Sequence, residues 1–362
     1  MEKIPFLIAF LITFFLSLIL TFIIRKLALK YKLLDWPAPR RIHPKPLPRL
    51  GGVAMFLSFL ITIIIFLNSS LGNKIIFLDK HLIGFLMGAA ILTGVMIFDD
   101  IYGLSPKAKF FWQVIAALII ISAGIGIDYL TNPLGGTINL SRYQIPIKIQ
   151  NNIHYINILA DLFTLLWIVG IINIINFLDG LDGLAAGTSA IAGLVIFILS
   201  LMPHINQPET AFLAITLSGT CLGFLIFNFH PAKIFMGDSG SHFLGFSLAI
   251  LAIFSGGKVA TALLVLGLPI LDGLWVVLNR IIKRKSPFLA DKSHLHHRLL
   301  ALGFSQKTVV IFLYILCAIF GFTSLFLKTK GKLIALSLLI LLMFIIVLTL
   351  FIISNYKEKQ KL

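Results

Sequence analysis

Long apolar runs broken by short polar stretches fill the chain from Ile4 onward. With a window of about 19 residues, they predict helices at 4–24, 51–67, 82–98, 108–127, 159–175, 184–202, 210–228, 242–255, 259–282, 308–327 and 333–353. That makes eleven membrane spans, or ten if one of the shorter segments containing Gly or Pro is tilted, broken or miscounted. The first run ends at Arg25 and Lys26 instead of a small-residue cleavage site, so it reads as an uncleaved first helix. The stretch 128–158 leaves the helical pattern. Gly135-Gly136, then Thr137 to Leu140 and Gln144 to Ile149, predict a short external β-hairpin. With no linker or repeat, residues 1–362 read as one integral membrane domain, all-α and polytopic.

Composition agrees. The chain is 59% hydrophobic and only 12% charged, against a usual charged share of roughly 25%, which excludes a soluble globule. The 30 Lys and Arg against 14 Asp and Glu leave a net charge of +16. In a soluble protein this would suggest nucleic acid; beside a membrane it marks the cytoplasmic face, against anionic lipid headgroups. The basic clusters at 25–49 and 280–307 therefore place the N-terminus outside and the C-terminus in the cytoplasm, outweighing Lys328, Lys330 and Lys332 in an external turn. Cys221 and Cys317 lie in apolar runs and read as small buried or lipid-facing hydrophobes, with neither a disulfide nor a metal.

The acids carry the chemical signal. Five of the 14 fall in three short segments, Asp99-Asp100, Asp179-Gly180-Leu181-Asp182 and Gly237-Asp238-Ser239-Gly240, all on the predicted cytoplasmic side. Singly, each could be a solvated flank or a helix cap. Together at the edge of hydrocarbon they repel one another unless something positive intervenes. A hard divalent cation with oxygen ligands, keeping places open for substrate phosphates, answers that need: Mg²⁺, with Mn²⁺ as an alternative. Asp272 is the one acid that looks embedded within a span.

Basic and imidazole groups lie on the same side. Arg40 to Gly52 forms a proline-stiffened basic loop that includes His43 and Arg49, and Lys107 and Lys109 open the fourth helix, placing Lys109 within reach of a phosphate at headgroup level. The last loop carries His294, His296, His297 and Arg298. That spacing fits no common zinc pattern, so hydrogen bonding or partial positive charge toward an anion is the better reading. His230 and His242 are isolated on the inside; His81, His154 and His204 read as external surface residues.

Four ordered motifs carry a resemblance: Asp-Asp-x-x-x-Leu-x-x-x-x-Lys at 99–109, Asn-x-x-Asn-x-x-Asp-Gly-x-Asp-Gly-Leu at 173–184, the run Phe227 to Ser241, and His-x-His-His at 294–297. From about Arg40 to Arg298 the chain resembles the polyprenyl-phosphate N-acetylhexosamine-1-phosphate transferases, in the branch that transfers GlcNAc-1-phosphate from UDP-GlcNAc to undecaprenyl phosphate for teichoic acid, O-antigen or related glycans. His242 departs from the pattern, standing where an apolar residue is common.

The resemblance implies an enzyme of the plasma (inner) membrane, its active site facing the cytoplasm, its partners UDP-GlcNAc, polyprenyl phosphate and membrane lipids, with no nucleic acid. It implies that Asp238 and Asn176 hold Mg²⁺, that Asp99 and Asp100 orient or deprotonate the lipid phosphate, and that Lys109 binds it. Asp179 and Asp182 would contact the nucleoside or tune the metal site. Asn173, Arg49 and the loop with His294, His296, His297 and Arg298 would meet the donor. Oligomeric state stays open, a homodimer included. The alternatives are the phospho-MurNAc-pentapeptide branch, a secondary transporter, whose site should sit near the bilayer midplane, and a CDP-alcohol phosphotransferase, which lacks support beyond Asp179-Gly180.

Overall fold

The computed structural model describes residues 3–36, 45–132, 136–149, 152–255, 259–282 and 294–359. Its helices are α1 (Ile4–Lys30), α2 (Gly51–Leu67), α3 (Lys80–Tyr102), α4 (Pro106–Ser122), α5 (Ile158–Leu178), α6 (Leu184–Ser200) and α7 (Pro208–Asn228). They continue as α8 (Gly237–Phe254), α9 (Val259–Val265), α10 (Gly267–Ile282), α11 (Leu295–Ala301), α12 (Gln306–Phe326) and α13 (Thr329–Lys359). Local chemistry sets several starts: proline occupies the first turn of α1, α4 and α7, where a missing N–H costs nothing. Asp79, Ser105 and Ser305 cap α3, α4 and α12 through their side-chain oxygens.

Every predicted span coincides with helix, and the protein is an all-α polytopic membrane protein. The stretch 259–282 is not one rod, however: α9 and α10 meet at 81°. Seven described helices are individually long and apolar enough to cross a membrane, eight with the bent pair counted as one span. The predicted eleven thus include helices at the short limit. The α2, α4 and α6 helices have 17 residues each, about 25 Å at 1.5 Å per residue, at the lower end for a bilayer core. Hydropathy windows register apolarity and miss such differences in length.

The helices form a core and a rim. In α7 and α8, 78% and 83% of the apolar window is buried inside the protein, against 22% for α1 and for α13. Hence α8 is the central post, packed by α2, α3 and α5, while α1 and α13 turn most of their surface to lipid. Without a hydrophobic drive between helices in lipid, close approach and hydrogen bonds hold them. Along α7, Gly219 and Gly223 admit the α1 backbone near Phe10 and Phe14, and Ser17 Oγ donates to the Thr220 carbonyl at 2.7 Å. Toward α2, Thr13 of α1 donates to Thr62 at 3.0 Å.

The stretch predicted as one hairpin contains two. Strand β3 (Tyr129–Thr131) pairs antiparallel with β4 (Thr137–Asn139), and β5 (Gln144–Ile149) with β6 (Asn152–Asn157). The segments 137–140 and 144–149 are therefore not partners; each pairs with a neighbour whose alternation was less evident. A two-residue ladder that the pattern did not predict, β1 (Leu34–Asp35) with β2 (Leu47–Pro48), closes the described ends of the basic loop.

The α1–α7 crossing can be tested directly. A methyl group at Gly223 would overlap the Phe14 carbonyl and come 2.9 Å from Ser17 Cβ, whereas one at Gly94 would meet nothing within 4 Å. Gly223→Ala should cost about 1–3 kcal/mol through overpacking and lower the melting temperature in detergent, while Gly94→Ala should leave it unchanged or slightly raised.

Candidate active site

The ends of four helices meet at one point. The last turn of α3 carries Asp99 and Asp100, the first turn of α4 carries Lys109, the last turn of α5 carries Asn176, and α8 opens with Asp238. The Lys109 ammonium lies 2.7 Å from Asp99 Oδ2 and 2.5 Å from Asp238 Oδ2, so one cation bridges two carboxylates from distant parts of the chain. Asp99 is buried and also accepts the Leu104 N–H at 2.6 Å. Asp238 is more open and takes the Asn176 amide at 3.2 Å on its other oxygen; the same amide nitrogen donates to Ser241 Oγ at 2.9 Å.

Asp100 has a different task. Its Oδ1 accepts the Asp238 N–H at 2.8 Å, and its Oδ2 accepts the Ser239 N–H at 3.1 Å and the Ser239 hydroxyl at 2.6 Å. These are first-turn donors of α8, which have no partner inside their own helix. Asp100 thus caps α8 from α3, with its negative charge at the positive end of the helix dipole. The contact depends on Gly237, whose φ of 72° suits glycine and where any side chain would run into the Asp100 carboxylate.

Asp182 is likewise engaged: its Oδ2 pairs with His230 Nδ1 at 2.7 Å and accepts the Ala232 N–H at 3.1 Å. Beside it, Asn228 accepts the Gly183 N–H and donates to the Ile234 carbonyl. Together these bonds fasten the 179–183 turn to the segment entering α8. Asp179 stands apart. It is the one acid of the five whose carboxylate accepts no hydrogen bond among the described residues. Burial, and then the charges of Asp238, Asp100 and Asp182, push its pKa well above the ordinary carboxylate value, with Arg49 opposing.

Arg49 reaches the cluster from the basic loop and is bonded to Asp35 at 2.9 Å. The loop docks by backbone: Phe235 N–H to the Pro48 carbonyl, Gly51 N–H to Phe235 and Gly52 N–H to Met236. Leu50 between them adopts φ 77°, an uncommon conformation for a branched residue, which this docking sustains. Arg40 to Pro44 and Ser286 to Ser293 lie outside the described residues. On the far side of the 179–183 turn, His296 is buried against Gly180 with Nε2 unpartnered, its ring parallel to His294 and tilted against His297. Arg298 lies on α11 one turn from the α11 start.

The comparisons with known proteins bear on this arrangement. The family model for glycosyl transferase family 4 matches residues 82–256, the segment that carries all five acids, Lys109, Asn173 and Asn176. A probable undecaprenyl-phosphate N-acetylglucosaminyl 1-phosphate transferase of Bacillus subtilis is 35% identical over 351 residues, 95% of this chain and 90% of that protein. The chain belongs to glycosyl transferase family 4. A decaprenyl-phosphate N-acetylglucosaminephosphotransferase of Mycobacterium tuberculosis is 35% identical over 83% of this chain and 76% of its own length. A phospho-N-acetylmuramoyl-pentapeptide-transferase of Moorella thermoacetica is 36% identical, but over only 40% of this chain and 45% of its own.

As a family 4 site, the cluster fits a hard cation. Carboxylate oxygens of Asp99, Asp100 and Asp238 lie within 4.8 Å of one another. Asn176 spends its amide nitrogen on Asp238 and Ser241, and its side-chain oxygen takes no hydrogen bond among the described residues. Both oxygens of each of these carboxylates already take hydrogen bonds, Asp99 and Asp238 from Lys109, Leu104 and Asn176 and Asp100 from α8, and the set offers the hard oxygen donors that suit a divalent cation.

One sequence-selected residue is placed elsewhere. Asn173 lies a turn deeper on α5 than Asn176, donating to Gln113 Oε1 and to the Val169 carbonyl, both at 2.8 Å. Gln113 Nε2 lies 3.0 Å from His242 Nε2, and His242 Nδ1 lies 2.9 Å from the Asp238 carbonyl. This directional chain beneath Asp238 includes Gln113 and His242, which the motifs did not select. Helical spacing offered the clue: Gln113 follows Lys109, and His242 follows Asp238, by four positions, hence on the same faces. His242, the departure from the family pattern, is therefore part of the support under Asp238.

Two measurements test these roles. Removing the α8 cap with Asp100→Ala should cost about 1–2 kcal/mol of stability, read as a lower melting temperature, and Asp100→Asn, which retains an acceptor, should cost less. His296, in α11, is held well below the ordinary histidine range by burial, then by His297 and His294. Unfolded, it binds a proton near 6.5; folded, it stays neutral, so stability falls as pH drops through that value. The melting temperature should fall between pH 7.5 and 5.5, by less in His296→Gln.

Proposed function

We propose that the protein transfers GlcNAc-1-phosphate from UDP-GlcNAc to undecaprenyl phosphate, releasing UMP, at the cytoplasmic face of the plasma membrane, as the first step of teichoic acid, O-antigen or related polysaccharide synthesis. The observation that carries this reading is the similarity to a GlcNAc-1-phosphate transferase over 95% of the chain, against 40% for the muramoyl-pentapeptide enzyme. The orientation rests on the basic clusters around 25–49 and 280–307.

In this reading an oxygen of the lipid phosphate attacks the β-phosphorus, the one bearing the sugar. The bond from that phosphorus to the oxygen bridging it to the α-phosphate breaks, and UMP leaves with the electron pair. Such a transfer needs positioning and charge neutralisation more than covalent help. Lys109 sits where the acceptor phosphate arrives, and Asp99, anchored by Leu104 and bonded to Lys109, keeps the ammonium in place. A phosphate monoester is already mostly ionised at neutral pH, so Asp99 orients more than it deprotonates. Asp100 acts one step back by fixing the α8 start that carries Asp238. Asp238 and Asn176, with Asp99 nearby, would hold Mg²⁺, which would supply charge neutralisation toward the pyrophosphate. The open carboxylate of Asp179 is available to hydroxyl or N–H groups of the nucleoside. Arg49, which opposes the negative charge at Asp179, and His296, which packs on Gly180, would meet the donor together with His294, His297 and Arg298.

A transporter is not favoured, because the five acids gather at helix ends and not at mid-span. The test is a donor panel on purified protein in lipid nanodiscs with undecaprenyl phosphate. UDP-GlcNAc should release UMP, EDTA should abolish release and Mg²⁺ restore it, and Asp238→Ala should lose about 100-fold or more in kcat. Release of UMP from UDP-MurNAc-pentapeptide alone, or from no UDP-N-acetylhexosamine, would overturn the proposal.

A further inference from the structure

The transfer chemistry above makes no use of Asp272, the acid embedded in the apolar pattern. It lies in α10, just past the 81° break from α9, and is buried at 8% exposure. A carboxylate so placed needs hydrogen-bond donors, and among the described residues the side chain that meets it is a histidine. Asp272 Oδ2 lies 2.9 Å from His294 Nδ1, and Oδ1 accepts the Leu295 N–H at 2.8 Å. A cap for Leu295 alone would need a single acceptor. The second oxygen fixes a ring. Because an ionised carboxylate only accepts, Nδ1 of His294 carries the hydrogen, and in the neutral ring Nε2 is then the accepting atom.

The fixed ring leads to the active site. His294 lies 5.6 Å from the Phe177 ring and 5.6 Å from the His296 ring, parallel to the latter within 8°. Phe177 precedes the Asp179-Gly180 turn on the same chain segment, and His296 packs onto Gly180 itself. Meanwhile Nε2 of His294 takes no hydrogen bond from the described residues.

We propose that Asp272 is a positioning residue: it locks His294 in the Nδ1–H form, so that Nε2 is offered beside the Asp179-Gly180 turn as an acceptor for a hydroxyl or amide N–H of the sugar nucleotide. The role toward substrate rests on the transferase reading; the locked tautomer does not. The bent α9–α10 pair thereby supplies an internal anchor for the histidine segment. Second-layer groups of this kind commonly matter 10–100-fold through the ring they orient.

The experiment uses the full-length protein, labelled with ¹⁵N-histidine, in nanodiscs, with the His294 resonances assigned by their loss in His294→Gln. The expected wild-type spectrum shows a protonated Nδ1 and a bare Nε2 at His294. Asp272→Asn, which can still accept from Leu295, should move the hydrogen to Nε2. In kinetics, Asp272→Asn should lower kcat/KM for the sugar nucleotide by about 10–100-fold with KM for the polyprenyl phosphate unchanged. The double variant Asp272→Asn/His294→Gln should be no worse than the poorer single, as expected of residues acting as a unit. A bare Nδ1 in the wild type, full activity in folded Asp272→Asn, or losses that multiply in the double variant would overturn the proposal. If Asp272→Asn does not fold, the wild-type spectrum still decides the tautomer. A wild type without turnover would overturn the transferase reading and, with it, the substrate role of His294.

Discussion

The architecture turns on the start of α8. A helix buried over most of its length must begin somewhere, and its first N–H groups have no partners within it. Here they are met by Asp100 from α3, through Oδ1 to the N–H of Asp238 and Oδ2 to Ser239. That bond aligns two helices that are far apart in sequence and aims Asp238 at Lys109. Asp182, Asn228 and the backbone of Pro48 to Gly52 then hold the segment entering α8 from two further sides. The buried cap sets the geometry, and the reactive groups inherit it.

Hydrogen-bond accounting separates scaffold from chemistry among residues that look alike in sequence. Asp100 and Asp182 have oxygens committed to backbone donors. Asp99 and Asp238 share one ammonium ion. Asp179 has burial and three negative neighbours and no hydrogen-bond donor among the described residues. At the edge of a low-dielectric bundle this is a costly arrangement, and it is offset when a cation or a donor-bearing ligand arrives. The same reasoning separates Asn176 from Asn173: the side-chain oxygen of the first takes no hydrogen bond among the described residues, while the second is tied to Gln113 and Val169.

The sequence was sufficient for much of this. Apolar runs of membrane-spanning length can satisfy their backbone groups only as helices, so the positions of α1 to α8, α12 and α13 were legible in advance. So were the acids at their ends, because carboxylates are too expensive in hydrocarbon to occur there without use. The break between α9 and α10 was hidden, since hydropathy is unchanged by a bend. The two hairpins within 129–157 were merged into one because alternation marks strands and is silent about which strand pairs with which.

What the sequence determined by itself was the class of molecule, a helical membrane protein with acids, a lysine and histidines gathered on one face, since charge and apolarity are local properties of residues. Only the tertiary structure decided which acid caps a helix, which shares a lysine and which stands open, and that Asp272 of α10 answers to His294 at the start of α11. Those distinctions depend on distances between groups remote in sequence, and a hydrogen bond is made or missed within about half an ångström.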